Sequence, residues 1–158
     1  MDWETRLASL WARIDDLERD EFIDRMTQLA TEQPAGDAIA SFELGAAHDS
    51  TGRPDVAVPL YRAALNAGLT GERRRRAVIQ MSSSLRNLGD LEAALALIEP
   101  ELAREHSPLD DAVIAVHALV LSSLGRDREG LSLVLEALAP HLPRYQRSMG
   151  NYARALRE

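Results

Sequence analysis

The sequence predicts an all-α fold, an α-α superhelix of antiparallel helix pairs with about nine helices in total. Two observations carry this prediction. Alanine and leucine supply 24 of the 158 residues each, while aromatic residues make up 4%, and this composition suits close-packed helices better than β-sheets. In addition, a pattern of helix, glycine turn and helix recurs three times, with glycines at positions 52, 89 and 125. Three stacked repeats are enough to bury a continuous core.

The elements are predicted in order from the N-terminus. Residues 2–17 and 19–33 carry two amphipathic patterns and form a degenerate helix pair without a glycine turn. Three repeats follow, each with a helical pattern before its glycine and a second one after it. Pro140 and Pro143 then interrupt the chain before a polar capping helix. The predicted boundaries within this single domain are 1–37 for the degenerate pair, 38–70, 71–107 and 108–142 for the first, second and third repeats, and 143–158 for the capping helix.

Small residues are predicted to let the two helices of each repeat approach closely. They are Gly45, Ser82 and Ala118 on the first helices, and Ala57, Ala94 and Gly130 on the second helices. Helices are predicted to start near residues 71, 91 and 109, where Thr70, Asp90 and the segment Pro108-Leu109-Asp110 supply residues that favour a helix start.

This repeat resembles the tetratricopeptide repeat, a helix-pair family with a period of about 34 residues. The best copy consists of Leu44-Gly45, Gly52, Ala57, Tyr61 and Ala64. Residues 41–52, 57–62 and 71–77 are also similar to a bacterial subgroup of the family, tetratrico peptide repeat group 5. The glycine spacings of 37 and 36 residues exceed the family period, and the additional residues are expected in the loops before Arg73 and Asp110.

The resemblance implies a right-handed solenoid that acts as a non-catalytic scaffold and binds a protein or peptide segment along a concave groove. Carried over residue by residue, the groove comprises Phe42, Glu43, Asp49, Arg76, Gln80, Ser83, Arg86 and Asn87. Because guanidinium groups bind carboxylates through charge-assisted hydrogen bonds, the expected partner carries an acidic segment or a C-terminal carboxylate. In the third repeat this face is apolar and includes Ala115 and Leu119. It is expected either to hold a ligand side chain or to lie beneath the capping helix.

Four consecutive arginines, Arg73–Arg76, open the first helix of the second repeat. Each cation there opposes the helix dipole at a cost of a few tenths of a kcal/mol, so a compensating interaction is expected. Successive helical side chains point about 100° apart, and the four therefore cannot all face one ligand. Two interpretations remain open: the run pairs with acids of the preceding repeat such as Glu43, Asp49 or Asp55, or it recognises an acidic peptide or another anion.

Composition and spacing argue against other classes of function. The net charge of −7 and the scarcity of aromatic residues argue against nucleic-acid and membrane binding. The sequence has no cysteine, and no two of its four histidines have the spacing of a metal pair on a helix, so neither a metal nor another cofactor is expected. The segment Ser82-Ser83-Ser84 lacks the turn of a serine nucleophile. A self-associating, homodimeric or larger helical repeat is the second hypothesis, and an enzyme is the third.

Two further expectations concern the N-terminus and the histidines. Residues 1–20 lack the apolar stretch of a signal peptide, so a cytoplasmic location is expected.

His48 and His117 occupy positions at which the family pattern has aromatic or apolar residues. The main interpretation is a half-buried packing histidine with one ring nitrogen hydrogen-bonded, and a pH-sensitive or ligand-binding histidine is the alternative.

Overall fold

The computed structural model describes residues 1–104 and 106–158 of the chain. This part of the chain is 75% helix and contains no strand, which confirms the predicted all-α fold with about nine helices. The α-helices are α1 Trp3–Trp11, α2 Arg19–Thr31, α3 Ala38–Ser50, α4 Pro54–Asn66, α5 Gly71–Asn87, α6 Leu91–Ile98, α7 Asp110–Ser123, α8 Asp127–Leu138 and α9 Gln146–Ala155; two short 3-10 helices cover Glu99–Ala103 and Ala139–His141. None of these helices combines the length and hydropathy that a membrane span requires.

The glycine turns of the three repeats form as predicted. Gly52, Gly89 and Gly125 each follow the first helix of a repeat with φ angles of 83°, 85° and 77°. This left-handed conformation is open to glycine at little cost and ends a helix sharply. Asp90 then starts α6, since its side chain accepts a hydrogen bond from the backbone N–H of Ala93 at 3.3 Å.

Helix α1 is shorter than the amphipathic pattern over residues 2–17 predicts. It ends at Trp11, and residues 12–16 continue as turns. Asp15 and Asp16 would place two negative charges at the C-terminal end of a longer helix, where the helix dipole disfavours them. Ile14 and Leu17 still pack against the apolar core of α1 and α2, so the burial that the pattern predicts is retained without the helix.

The chain divides into two compact units, Met1–Ser84 and Leu85–Glu158. In the N-terminal unit, the buried side chains of α1 and α2 form a core with Ala47 of α3. Helices α3 and α4 pack tightly at Gly45, where a Cβ atom would lie 3.0 Å from the Tyr61 ring. The close approach predicted at Gly45 is therefore confirmed. The prediction that the whole chain forms one domain stays a prediction.

In the C-terminal unit, α8 lies between α7 and α9. A Cβ atom on Gly130 would lie 2.8 Å from the carbonyl oxygen of Ala118, so the predicted close approach of α7 and α8 is also confirmed. On another face of α8, Ser132 Oγ donates a hydrogen bond of 2.6 Å to the carbonyl oxygen of Ala153 in α9. Helix α9 leaves Leu119 49% exposed. The alternative in which the capping helix buries this apolar surface is therefore wrong for Leu119, because α9 packs elsewhere on α8.

Candidate functional site

The first arginine of the run on α5 is paired inside the N-terminal unit. Arg73 donates from Nε to Oε1 of Glu43 at 2.9 Å, and from Nη1 and Nη2 to the two carboxylate oxygens of Glu4 at 3.1 and 2.6 Å. The two hydrogen bonds to Glu4, together with the one to Glu43, raise the pKa of Arg73 above its ordinary value. Internal pairing, one of the two interpretations of the run, is thus confirmed for Arg73.

Glu43, a predicted groove residue, lies inside the fold and is 3% exposed. Its Oε1 accepts from Arg73, and its Oε2 accepts a hydrogen bond of 2.8 Å from the indole Nε1 of Trp11. Buried carboxylates need such partners because removal from water is costly for a charge. Glu43 therefore joins α1, α3 and α5, and its carboxylate is occupied by these two donors.

Asp49, at the other end of α3, makes a second internal junction. Its Oδ1 accepts from Ser84 Oγ at 2.7 Å and its Oδ2 accepts from the hydroxyl of Tyr61 at 3.2 Å. Burial of Tyr61, followed by the negative charge of Asp49, raises the pKa of the Tyr61 hydroxyl far above its ordinary value, so it stays a donor. Asp49 thereby connects α3 to α4 and α5.

Arg76 lies over the ring of Phe42. Its guanidinium carbon is 5.1 Å from the ring centroid, within the range of a cation–π contact. Phe42 is fully buried against Tyr61, with ring centroids 6.1 Å apart. Within the described residues, Arg76 makes no hydrogen bond or ion pair, and it is half-buried. The Phe42 ring therefore lies beneath the guanidinium group, and the positive charge on this side of the ring is that of Arg76.

Gln80 and Ser83 lie on the same face of α5 as Arg76. The three residues are spaced i, i+4 and i+7, which aligns their side chains along one side of a helix. Both Gln80 and Ser83 are half-buried. The carboxamide oxygen Oε1 of Gln80 is buried and has no hydrogen-bond partner among the described residues. We refer to Arg76, Gln80 and Ser83 together as the α5 surface.

The last two predicted groove residues contact each other in the C-terminal unit. Arg86 donates from Nη2 to Oδ1 of Asn87 at 3.0 Å, and its Nη1 is 3.5 Å from Ser123 Oγ. The Nε of Arg86 is buried and without a hydrogen-bond partner in the part of the chain that the structure describes. Among the predicted groove residues, Arg76 therefore contacts Phe42 and Arg86 contacts Asn87. Glu43 instead contacts Arg73, which the predicted groove does not include.

Two residues at these junctions were missed by sequence reasoning. Glu4, which pairs with Arg73, is separated from it by 69 residues, and no local spacing connects the two. Trp11 lies within the amphipathic pattern of residues 2–17, and that pattern predicts a packed ring but not the hydrogen bond that its indole N–H donates to Glu43. One feature of the sequence does indicate a buried junction here: Glu43 is an acid between Phe42 and Leu44 in an apolar stretch, where a carboxylate needs partners.

His117 departs from the expected packing geometry in both burial and hydrogen bonding, whereas His48 has the expected burial. His117 is 4% exposed, and neither ring nitrogen has a hydrogen-bond partner among the described residues. The expectation of a half-buried ring with one bonded nitrogen is therefore wrong for His117. His48 is half-buried, and its Nδ1 is buried without a partner in the described chain. Among the described residues, no group of three or more acidic or histidine side chains is placed to hold a metal ion.

Burial lowers the pKa of His117 below its ordinary value of 6.5, and the charge of Arg126 acts in the same direction. Glu99 and Glu129 oppose this shift without cancelling it. As the pH falls below that ordinary value, the unfolded chain binds a proton that the folded chain resists. The contribution of His117 to stability is therefore complete above the ordinary pKa and decreases as the pH falls towards the folded pKa.

We expect His117→Leu to raise the free energy of unfolding by about 1–2 kcal/mol, because it removes a buried polar ring without partners. Below neutral pH the advantage over the wild-type protein should widen, since leucine cannot bind a proton. Urea denaturation at a series of pH values from neutral to mildly acidic measures both effects. If the free energy of unfolding of the two proteins changed with pH in parallel, the lowered pKa of His117 in the folded chain would be contradicted.

The fold and these contacts can be set beside known proteins. A protein-family model described as tetratrico peptide repeat, group 5, matches residues 38–156. Searches of curated proteins and of solved structures found no significant match. The matched residues include α3 to α9, and hence the α5 surface and both helices of the third repeat.

Proposed function

Because the chain belongs to the tetratrico peptide repeat family, whose helical-repeat scaffolds typically mediate protein–protein interaction, we propose that it binds an acidic protein segment or a C-terminal carboxylate at the α5 surface. Arg86 and Asn87, further along α5, stay predicted members of the same binding groove. The protein acts as a non-catalytic scaffold in this proposal, and neither a nucleic acid nor a membrane is its partner. A cytoplasmic location and the lack of a cofactor remain predictions.

The proposal rests on one observation, the environment of the Arg76 guanidinium. Its charge meets no carboxylate among the described residues, whereas Arg73 is bound by two. An arginine presents several N–H donors in one plane, which suits the two oxygens of a carboxylate. The contact with the Phe42 ring holds the guanidinium in place without using its donors in ordinary hydrogen bonds. A carboxylate ligand would supply the missing acceptors.

Gln80 and Ser83 extend the surface beyond a single charge. They offer an amide and a hydroxyl group one and two turns along α5 from Arg76, and both are half-buried. A peptide segment that crosses this face can place its carboxylate at Arg76 and its backbone groups near Gln80 and Ser83. Gln80 Oε1 is buried without a partner among the described residues, and an unpaired acceptor away from water is unfavourable, so a turn of the half-buried carboxamide towards a ligand donor would gain a hydrogen bond.

The proposal is tested by selecting peptides from a library displayed with free C-termini and titrating the enriched peptide against variants. We expect Arg76→Ala to weaken binding by about tenfold or more, because the variant loses a charge-assisted hydrogen bond to the peptide carboxylate. Arg62→Ala is the matched control, since Arg62 is an exposed arginine of α4 in the same unit. Enriched peptides that lack acidic side chains and keep their affinity after amidation of the C-terminus would contradict the proposal, as would equal affinities for the two variants.

A second candidate function, self-association, is favoured by a different observation. Leu119 of α7 and Leu131 of α8 are about half exposed in the C-terminal unit. Exposed leucines grouped on one face of a helix pair are typical of protein–protein contacts. Because these residues do not belong to the α5 surface, the two candidate functions can be tested separately.

A further inference from the structure

The third repeat has an open face at a position that the first repeat keeps buried. When the turn glycines of the two repeats are aligned, Leu131 and Val134 of α8 are equivalent to Val58 and Tyr61 of α4. The two residues of α8 are 51% and 38% exposed, compared with 8% and 0% for their equivalents. The same repeat position is therefore interior in one copy of the repeat and surface in the other.

In the first repeat this face is covered by a helix. Helix α5, which begins the following repeat, places Arg76 over the Phe42 ring and donates a hydrogen bond from Ser84 to Asp49. Ala77, on the same side of α5, is fully buried. Stacked repeats bury such a face beneath the next helix of the array. The first repeat thus indicates that the shape which fits this position is an α-helix.

Helix α9 does not take the equivalent place on the third repeat. It packs on a different face of α8, where Ser132 donates a hydrogen bond of 2.6 Å to the carbonyl oxygen of Ala153. The open face remains as a shallow cavity of about 520 Å³. We refer to it as the α7–α8 face, and its lining includes Ala115, Leu119 and Ser122 of α7 and Asp127, Leu131 and Val134 of α8.

The lining of the α7–α8 face indicates the size of the side chains that fit it. Ala115 and Val134 stand where the first repeat has Phe42 and Tyr61. Both aromatic rings are fully buried in the first repeat, so the third repeat lacks two large groups at the same positions. Because packed interiors leave few voids, an occupant of this face must supply large apolar side chains of its own.

An acid on the α7–α8 face indicates the charge of the occupant. Asp127 lines the cavity, and its Oδ1 accepts a hydrogen bond of 2.6 Å from Ser122. No cation pairs with this carboxylate in the described parts of the chain. Arg126 binds both carboxylate oxygens of Glu129, and Arg128 donates to a backbone carbonyl group. A helix that covers Asp127 would take its charge out of water, which favours an occupant with a cation at that place.

From this arrangement we infer that the α7–α8 face receives an amphipathic helix of a different protein, with large apolar side chains along one side and an arginine or lysine that pairs with Asp127. A second copy of this chain fits the face less well. Its own α7–α8 face brings another Asp127, and the arginine beside it, Arg126, is already bound to Glu129. The second copy therefore adds an acid where a cation is needed.

The contacts of α5 on the first repeat give the expected spacing in the occupant. Arg76 and Ser84, at i and i+8 of α5, meet positions that correspond to Ala115 and Ser122 in the third repeat. In an occupant with the same orientation, a large apolar side chain at i lies over Ala115. The cation then stands near i+8, about two turns further along the helix, beside Ser122 and Asp127. A cation near the C-terminal end of the occupant is also favoured by the helix dipole.

Helical peptides test the inference, and they differ from the acidic ligands proposed for the α5 surface. The probe is a displayed library of amphipathic helices of 17 residues, the length of α5, with the side chains along one side randomised. Selection on the full chain is expected to enrich large apolar residues at helical spacing, with an arginine or lysine about two turns after the first of them. Arg76→Ala should leave the affinity of these peptides unchanged, so failure here is distinct from failure at the α5 surface.

A matched pair of variants tests the apolar part of the face by titration with the enriched peptide. Leu131→Glu is expected to raise the dissociation constant more than about tenfold, because a glutamate is then buried against the apolar side of the helix. Leu102→Glu is the control, since Leu102 is 42% exposed in the same unit and does not line the cavity. Equal dissociation constants for the two variants would overturn the inference.

Reversal of the charge at Asp127 tests the polar part. Asp127→Lys is expected to weaken the basic peptide by about tenfold, and a peptide with glutamate in place of its cation should recover most of that loss. Recovery requires a folded variant, so misfolding cannot imitate it. Glu92→Lys is the control, because Glu92 is an exposed acid in the first turn of α6, and neither peptide should respond to it.

Three other results would overturn the inference. The first is a selection that enriches no helical peptide, and the second is a glutamate peptide that recovers no affinity for Asp127→Lys. The third is a wild-type chain that dimerises in sedimentation equilibrium and loses the dimer with Leu131→Glu, because a second copy would then occupy the α7–α8 face.

Discussion

Gly130→Ala is expected to lower the free energy of unfolding by about 1–3 kcal/mol, the range found when side-chain atoms are forced into a packed site. Gly130 lies in α8, and alanine is a better helix former than glycine. The added Cβ atom, however, would lie 2.8 Å from the carbonyl oxygen and 3.4 Å from the Cα atom of Ala118. Both are backbone atoms of α7, so neither can rotate away. The two helices would have to separate, and apolar packing between them would be lost.

Gly150→Ala is the matched control for this prediction. Gly150 also lies within a helix, α9, but a Cβ atom there would approach only the end of the Arg154 side chain, at 3.5 Å. That side chain can move, so the helix preference of alanine should raise stability by about 0.5–1 kcal/mol. Urea denaturation followed by circular dichroism gives both values. Changes of the same sign in the two variants would contradict the argument from helix contact.

The small residues at helix crossings could be predicted because their cause is local. A repeated turn glycine fixes the register between repeats, and positions aligned by that register must meet the same neighbours within a helix pair. Gly45 and Gly130 were identified in this way, and both lie where a Cβ atom would contact the partner helix. The helix starts near 71 and 91 followed from local composition in the same manner.

Partners distant in sequence could not be predicted from spacing. One of the two interpretations of the arginine run pairs it with an acid of the preceding repeat, and Glu43 is one of three acids that it names. The sequence contains nothing that selects Glu43 over Asp49, which instead binds Ser84 and Tyr61. The choice depends on how α3 and α5 cross, and that angle results from the packing of many side chains together.

The position of α9 could not be predicted for a related reason. Its sequence indicates a polar capping helix, but its direction depends on the preceding turn. Tyr145 adopts a φ angle of 69° there, a conformation that non-glycine residues seldom take. The turn leads α9 to the Ser132 side of α8 and leaves Leu119 and Leu131 uncovered. Local patterns identified the helix, while the surface it leaves open required the structure.

The second large effect is expected for Arg73→Ala, which should lower the free energy of unfolding by about 3 kcal/mol. The substitution leaves the carboxylate of Glu43, 3% exposed, with the indole N–H of Trp11 as its remaining hydrogen-bond donor among the described residues. An uncompensated charge in this position is unfavourable because little water reaches it. We expect the lower end of the range for buried pairs, since the Arg73 side chain itself keeps 29% of its surface exposed.

A second substitution separates the charge from the shape of the site. Glu43→Gln in the Arg73→Ala background removes the buried charge and keeps an oxygen that can accept from Trp11, so it should recover much of the lost stability. Arg62→Ala, which removes an exposed arginine from α4, should change stability by less than about 0.5 kcal/mol. If Glu43→Gln added to the loss instead of reversing it, the stabilising role of Arg73 would be its packing between α1 and α3, with charge compensation of Glu43 contributing little.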